Sequence, residues 1–178
     1  GLAGYPVHTI KACIREGEGN KMPINARFAH TNIVATDWRK LAGFYEQVFG
    51  CIPVPPERDL SGKWLEEATG VHNAHIRGVH MRLPGHGSEG PTLEIFEYEH
   101  EEERPSIAVN RPGFAHIAFA VDDVKAALEA VKTAGGGAIG SIVSLAISGA
   151  GTVAMVYATD PEGNIIELQT WSKEFLEQ

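Results

Sequence analysis

The sequence has few cysteines, no long apolar run and no excess of basic charge, and each absence excludes a class of protein. Its two cysteines, Cys13 and Cys51, do not form a CxxC pair, so it carries no zinc-ribbon or thiol-redox motif. No apolar run approaches the roughly 18 residues that a membrane-spanning helix needs. Isolated cysteines and the lack of an export-signal pattern in the first residues lead us to expect a cytoplasmic protein.

The net charge of the chain indicates which classes of binding partner are to be expected. The net charge is −8, from 15 basic and 23 acidic residues. This excess of acid disfavours nucleic acid, because a phosphate-binding surface needs clustered Lys and Arg. With 178 residues and an apolar content of 43%, the chain can bury a core of ordinary size. We therefore expect a folded protein with a small-molecule partner and no nucleic-acid or membrane partner.

Two segments of the chain resemble each other at an offset of 86 residues. Between residues 28–50 and 114–136 the identical pairs are Phe28 and Phe114, Ala29 and Ala115, His30 and His116, Asp37 and Asp123, and Gly50 and Gly136. Average residue usage would produce about one or two identities by chance. Because an internal repeat is a primary signal of fold, we expect two related modules.

Each copy of the repeat predicts a strand followed by a helix. In the first copy, alternation places Ile33 and Ala35 on one strand face and His30 on the other. A helix then begins near Asp37, a residue type that caps helices, and ends at Gly50. The second copy repeats this pattern, so both modules open with the same strand and helix.

Further strands are predicted after each helix, which makes each half β-α-β-β-β. They lie near Lys63–Leu65, Ile76–Leu83, Thr92–Tyr98, Ala138–Leu145, Val153–Ala158 and Ile165–Thr170. The predicted modules span residues 26–98 and 113–171, joined by an acidic, proline-bearing linker over residues 99–112. Residues 1–25 are interpreted as an N-terminal extension or an artificial remnant, and residues 172–178 as a C-terminal tail. A short terminal helix over Trp171–Gln178 is also considered.

Four polar side chains stand on the predicted first and last strands of the two halves, namely His30, Glu94, His116 and Glu167. Strand alternation places each of them opposite the apolar neighbours that would pack against the helices. A carboxylate within an apolar strand needs a partner. Since two imidazoles and two carboxylates are a suitable ligand set for a divalent cation, the pattern predicts a metal site away from the helices.

Two aromatic residues are candidates for substrate binding at this site. Phe96 shares a strand face with Glu94, so it would stand beside that carboxylate. Tyr157 precedes Glu167 by ten residues, and its orientation stays open between pocket and core. Five other histidines within the two modules and their linker have no counterpart in the repeat; they are His72, His75, His80, His86 and His100. Of these, His72 and His75 are expected in solvated loops.

The sequence resembles the vicinal oxygen chelate superfamily, which includes glyoxalase I, methylmalonyl-CoA epimerase, fosfomycin- and bleomycin-resistance proteins, and extradiol dioxygenases. The motifs that carry the resemblance are FAHTNIVATDWRKLAGFYEQVFG, TLEIFE, GFAHIAFAVDD and DPEGNIIEL, within about residues 26–171. The resemblance implies an α+β fold in which two βαβββ modules form a U-shaped mixed sheet around a metal, with helices outside. It also implies His30, Glu94, His116 and Glu167 as the metal ligands, and a homodimer.

With all four ligand positions present, the resemblance is greatest to glyoxalase I-like lyases and isomerases. We expect an enzyme that binds one divalent ion, either Zn, Ni, Co, Mn or Mg. It would act on a small α-oxygenated carbonyl compound through a metal-stabilised enediolate. Glu167 would be the general base and Glu94 the second candidate, with Tyr157 and Phe96 contacting the substrate.

Two other functions stay open. An Fe(II) extradiol-type dioxygenase would use His30, His116 and Glu167 as a facial triad with open positions for catechol and oxygen. Glu94 counts against this function, because a fourth protein ligand removes one open position. A bleomycin-resistance-like protein would instead sequester a ligand in the same cleft without chemistry.

Overall fold

The computed structural model describes residues 25–172. The predicted N-terminal extension, apart from its last residue, lies outside these residues, as does the tail from residue 173 onward. Trp171 and Ser172, where a terminal helix was considered, belong instead to the last strand.

The first half of the described chain forms a four-stranded mixed sheet. In chain order its elements are β1 (His30–Val34), α1 (Trp38–Phe49), β2 (Ile52–Ser61), α2 (Lys63–Thr69), β3 (His75–Arg82) and β4 (Thr92–Tyr98). The strand order is β1-β4-β3-β2. Strand β1 runs parallel to β4, and the other neighbours are antiparallel.

The second half repeats this topology in a five-stranded sheet. Its elements are β5 (Ile117–Ala120), α3 (Val124–Thr133), β6 (Gly137–Ala138), β7 (Val143–Ile147), β8 (Gly151–Thr159) and β9 (Ile165–Ser172). The order is β5-β9-β8-β6, and β7 also pairs with β8. Strand β5 runs parallel to β9, as β1 does to β4. The predicted α+β fold class is confirmed, while the predicted β-α-β-β-β order gains helix α2 in the first half and one more strand in the second.

Two predicted strands are wrong in detail. Lys63–Leu65 is the first turn of α2, and Leu65 is buried beneath that helix. The strand before it, β2, was not predicted because it contains three prolines, which cannot donate a backbone hydrogen bond. They are tolerated because β2 lies at the edge of its sheet. The predicted strand Ala138–Leu145 is divided between β6 and β7.

The two long helices begin as their sequences predict. Asp37 accepts a hydrogen bond from the Lys40 amide at 3.0 Å, and Asp123 accepts one from the Ala126 amide at 3.0 Å. Gly50 ends α1 in the left-handed region, with φ at 67°. Within residues 25–172, no helix has the length and apolar character that a membrane crossing requires.

The larger of two hydrophobic clusters among the described residues joins the helix-facing sides of both sheets. Tyr45 and Leu41 of α1 are fully buried in it, as is Val131 of α3. Phe49 stacks on Phe119 of the other half, with ring centroids 3.9 Å apart. Because α1 and α3 cover one side of the sheets, side chains on the opposite faces do not pack against these helices.

His75 lies at the start of β3 rather than in a solvated loop, and it joins two carboxylates. Its Nε2 is 2.6 Å from Asp59 Oδ1, and its Nδ1 is 2.8 Å from Glu99 Oε2. The hydrogen bond to Asp59, followed by that to Glu99, raises the pKa of His75 above its usual value. The charged imidazole therefore stabilises the fold below its unfolded-state pKa of about 6.5. This contribution is lost as the pH rises through the higher pKa of the folded protein.

We expect Asp59→Asn to lower the pKa of His75, because it removes the largest cause of the shift. The difference in unfolding free energy between the native chain and this variant should shrink as the pH rises above the folded-state pKa. An NMR titration of the histidine ring protons measures the first effect, with exposed His72 as an internal reference. An unchanged His75 titration in the variant would contradict the assignment.

Candidate functional site

The four predicted ligand residues lie on the sheet faces that point away from α1 and α3. The neighbours of the two glutamates are fully buried in the helix-facing core; they are Leu93, Ile95, Ile166 and Leu168. Alternation therefore turns Glu94 and Glu167 to the other side, where their side chains are 13% and 14% exposed. This is the face that the sequence pattern predicts for them.

Each half brings one histidine and one glutamate together. His30 Nε2 lies 3.3 Å from Glu94 Oε2, and His116 Nε2 lies 2.9 Å from Glu167 Oε2. These pairs are equivalent in the repeat, since His30 opens β1, His116 directly precedes β5, and each glutamate stands on the last strand of its half. We call them the first half-site and the second half-site.

Both histidines also line one cavity of about 670 Å³. Within residues 25–172, however, no three His, Cys, Asp or Glu side chains are placed so that they could hold a metal ion. The structure thus brings the predicted ligands together in two pairs and not as a set of four.

His80 is a member of the first half-site that the sequence analysis missed. Its Nε2 lies 3.0 Å from Glu94 Oε1, because antiparallel pairing of β3 with β4 sets these two residues opposite each other. Burial lowers the pKa of His80. Alternation with buried Val79 and Met81 could have revealed its orientation, since that strand was predicted. The repeat gives no signal for His80, because the residue at the equivalent position of the second half is not a histidine.

Tyr157 occupies the equivalent position in the second half-site. It stands opposite Glu167 in the pairing of β8 with β9. Its ring centroid lies 5.2 Å from that of His116. The orientation that the sequence left open is therefore toward the half-site and away from the core.

Phe96 shares the face of Glu94 but is largely covered. It is 9% exposed and belongs to a small apolar cluster beneath α2, together with Leu65, Ala74 and Ile76. Its ring centroid is 5.8 Å from that of His80, at nearly a right angle. Phe96 therefore packs against His80 of the first half-site.

The predicted linker forms part of the cavity wall. Residues 104–108 line the cavity together with His30 and His116. Arg104 anchors this segment by donating to the carbonyl oxygen of Glu162 at 2.7 Å and to Asn164 Oδ1 at 2.6 Å. The linker is thus held against the turn between β8 and β9.

Comparison with models of known protein families identifies the family to which the chain belongs. The model of the Glyoxalase/Bleomycin resistance protein/Dioxygenase superfamily matches residues 27–168, which include both half-sites. The chain belongs to this superfamily. No curated protein matches it at a significant level.

Solved structures of other superfamily proteins share the fold. A glyoxalase family protein from Bacillus cereus is 15% identical, with a TM-score of 0.66 over 88% of this chain and all of the other. A glyoxalase family protein from Enterococcus faecalis is 21% identical, with a TM-score of 0.54 over 80% of this chain and 96% of the other. A variant of glyoxalase I from Zea mays is 18% identical, with a TM-score of 0.57 over 80% of this chain and 45% of the other. At these identities the likeness shows the glyoxalase fold.

Proposed function

We propose that this superfamily member is a metal-dependent lyase or isomerase that acts on a small α-oxygenated carbonyl compound. The observation that carries the proposal is the pair of matched half-sites, His30 with Glu94 and His116 with Glu167. Both pairs occupy equivalent positions of the repeat, on the side of the sheets turned away from α1 and α3. A structural role alone would not require the same two residue types at both places.

The donor atoms of the half-sites suit a divalent ion. In each pair an imidazole nitrogen and a carboxylate oxygen are 2.9 to 3.3 Å apart, a separation at which both atoms could be ligands of one ion. Members of the superfamily commonly bind a divalent metal. Two imidazoles favour Zn, Ni, Co or Mn over Mg, which prefers oxygen ligands.

We further propose that the four ligands meet in a homodimer. Strands β1 and β5 each pair with one neighbour among the described residues, so each sheet has an open edge beside its half-site. Next to the histidines, Phe28 is 66% exposed and Phe114 fully exposed. Large exposed aromatic side chains beside open strand edges are typical of an interface.

The residues of the two half-sites would divide the chemistry. When bound, a divalent ion supplies Lewis acidity toward adjacent substrate oxygens. Glu167 would accept the proton from the carbon next to the carbonyl group, with Glu94 as the second candidate. Tyr157, beside His116, would contact and orient the substrate.

We expect His116→Ala to abolish binding of the divalent ion, with an affinity loss of at least about 100-fold, because it removes a ligand atom. Calorimetric titration with Co²⁺ measures the affinity, and elemental analysis measures metal content. His72→Ala removes an exposed histidine and is the matched control, with unchanged affinity. Metal retained at full stoichiometry in His116→Ala would contradict the proposed site.

A second measurement tests the reaction class. The metal-loaded protein should exchange the protons α to the carbonyl of hydroxyacetone with D₂O, an exchange that proton NMR follows. Glu167→Gln keeps a side-chain oxygen beside His116, and we expect it to lose this exchange even when it is loaded at a saturating metal concentration. Oxygen uptake with catechols by an iron-loaded protein would favour a dioxygenase instead, and binding without either reaction would favour ligand sequestration.

A further inference from the structure

The two glutamates of the half-sites are held differently. Glu94 is engaged at both oxygens: His80 Nε2 lies 3.0 Å from Oε1, and His30 Nε2 lies 3.3 Å from Oε2. The amide nitrogen of Asn32 also donates to Oε2, at 3.4 Å. Among the described residues, Glu167 has the one polar partner His116, which contacts its Oε2 at 2.9 Å. The first carboxylate is therefore fixed, and the second can rotate.

The difference originates in two positions where the halves of the chain diverge. His80 stands opposite Glu94 in its strand pair, where Tyr157 stands opposite Glu167. On the other side, Asn32 is the neighbour of Glu94, where the equivalent residue of the second half is Ala118. Both positions in the first half carry a side chain that can donate to the carboxylate.

His80 is itself held in place. Its Nδ1 lies 3.2 Å from Thr92 Oγ1, so the threonine hydroxyl can donate to Nδ1 while Nε2–H donates to Glu94. The rings of Phe96 and His30 approach its ring edge to face, with centroids 5.8 and 6.1 Å away. Its side chain is 22% exposed. One ring tautomer and one orientation follow from these contacts.

We infer that His80 is a positioning residue that occupies Oε1 of Glu94, so that this carboxylate presents only Oε2, beside His30, to a divalent ion. The inference rests on the proposed function, in which Glu94 is a metal ligand. His80 acts through Glu94 and is not a ligand itself. Glu94 is then the permanent ligand, and the less constrained Glu167 is the carboxylate that can move to take a proton.

The test compares two substitutions of His80 in the full chain. His80→Leu removes the donor to Oε1, and we expect a 10- to 100-fold loss of Co²⁺ affinity, the usual effect of losing a partner of a metal ligand. His80→Gln keeps an N–H donor of similar reach and should stay within about threefold of the native chain. The matched control is His86→Ala in the exposed turn between β3 and β4, with no change expected.

The visible spectrum of bound Co²⁺ separates positioning from ligation. The band positions of the native complex should persist in His80→Gln, since the ligand atoms are unchanged. Loss of an imidazole contribution from the spectrum in that variant would show that His80 is a ligand and would overturn the inference. So would an unchanged affinity in His80→Leu, provided that His30→Ala still abolishes binding.

A measurement without metal keeps this inference distinguishable from the proposed function. NMR of the histidine ring nitrogens should show His80 in the native chain as the Nε2–H tautomer, and Glu94→Gln should shift its Nε2 resonance. If the native chain binds no Co²⁺, the proposed function fails, and with it the metal-positioning role. If it binds Co²⁺ but Glu94→Gln leaves the His80 resonances unchanged, only the role of His80 fails.

Discussion

Asp160→Ala should lower the free energy of unfolding by about 3–5 kcal/mol, as expected when one partner of a buried polar network is removed. Asp160 is 2% exposed and accepts four hydrogen bonds. Its Oδ1 accepts from the amides of Glu162 and Asn164 at 3.0 and 2.8 Å. Its Oδ2 accepts from Asn164 Nδ2 at 2.6 Å and from the Tyr45 hydroxyl at 3.1 Å.

The alanine variant would leave the Tyr45 hydroxyl without this partner at a fully buried position. Burial raises the pKa of Tyr45 well above its usual value and also raises that of Asp160. Both shifts have burial as their largest cause, which shows how far this pair is removed from water. Urea denaturation followed by circular dichroism measures the loss.

Tyr45→Phe is the matched control, because it removes one of the four hydrogen bonds and keeps the aromatic ring in the core. We expect it to cost about 0.5–1.5 kcal/mol. A free energy of unfolding for Asp160→Ala within 1 kcal/mol of the native value would show that the network does not stabilise the fold.

We expect the Asp160→Ala substitution to disturb the second half-site as well, because the hydrogen bonds of Asp160 hold the turn that leads into β9 and Glu167. The same turn carries Glu162, whose carboxylate accepts from the amides of Thr36 and Asp37 at 2.9 Å each. A carboxylate at this place caps the N-terminus of α1, and its negative charge interacts favourably with the positive end of the helix dipole. The turn thus connects the two halves of the chain.

Gly78→Ala is expected to lower the free energy of unfolding by about 3 kcal/mol, at or beyond the upper end of the usual overpacking cost. A β-carbon on Gly78 would overlap the carbonyl oxygen of Ile95 and the ring of Phe96. The ring could rotate away, but the Ile95 carbonyl belongs to the neighbouring strand and cannot move without breaking the pairing of β3 with β4. That pairing also sets His80 opposite Glu94, so weakened Co²⁺ binding should accompany the loss.

Gly43→Ala is the control, and we expect it to raise the free energy of unfolding where Gly78→Ala lowers it. Gly43 lies within α1, and a β-carbon there would meet no atom within 4 Å. Alanine should therefore stabilise the chain by about 0.5–1 kcal/mol through its higher helix propensity. Equal stability of Gly78→Ala and Gly43→Ala in denaturant titrations would exclude the proposed overlap at Gly78.

Short-range patterns predicted much of this protein because they depend on local geometry alone. Side chains alternate along any strand, so buried neighbours on both sides turned Glu94 and Glu167 to the opposite face. Helix starts at Asp37 and Asp123 followed from the same local chemistry, since a short acceptor side chain satisfies free amides at a helix end.

Other features depended on strand pairing, which cannot be predicted from any one segment of the sequence. The contact of His80 with Glu94 exists only because β3 pairs with β4, and the orientation of Tyr157 follows from its register with Glu167. Strand β2 was missed for the same reason, because its prolines are acceptable only at a sheet edge.

The sequence by itself therefore determined the family, the two repeated halves that each open with a strand and a helix, and the face on which Glu94 and Glu167 lie. Local alternation and capping suffice for these features. Only the tertiary structure decided that the ligands stand as two pairs, that His80 fixes one carboxylate, and that Glu162 joins one half to the helix of the other. These contacts lie between residues as many as 126 positions apart, so their geometry exists only after the sheets have paired and packed.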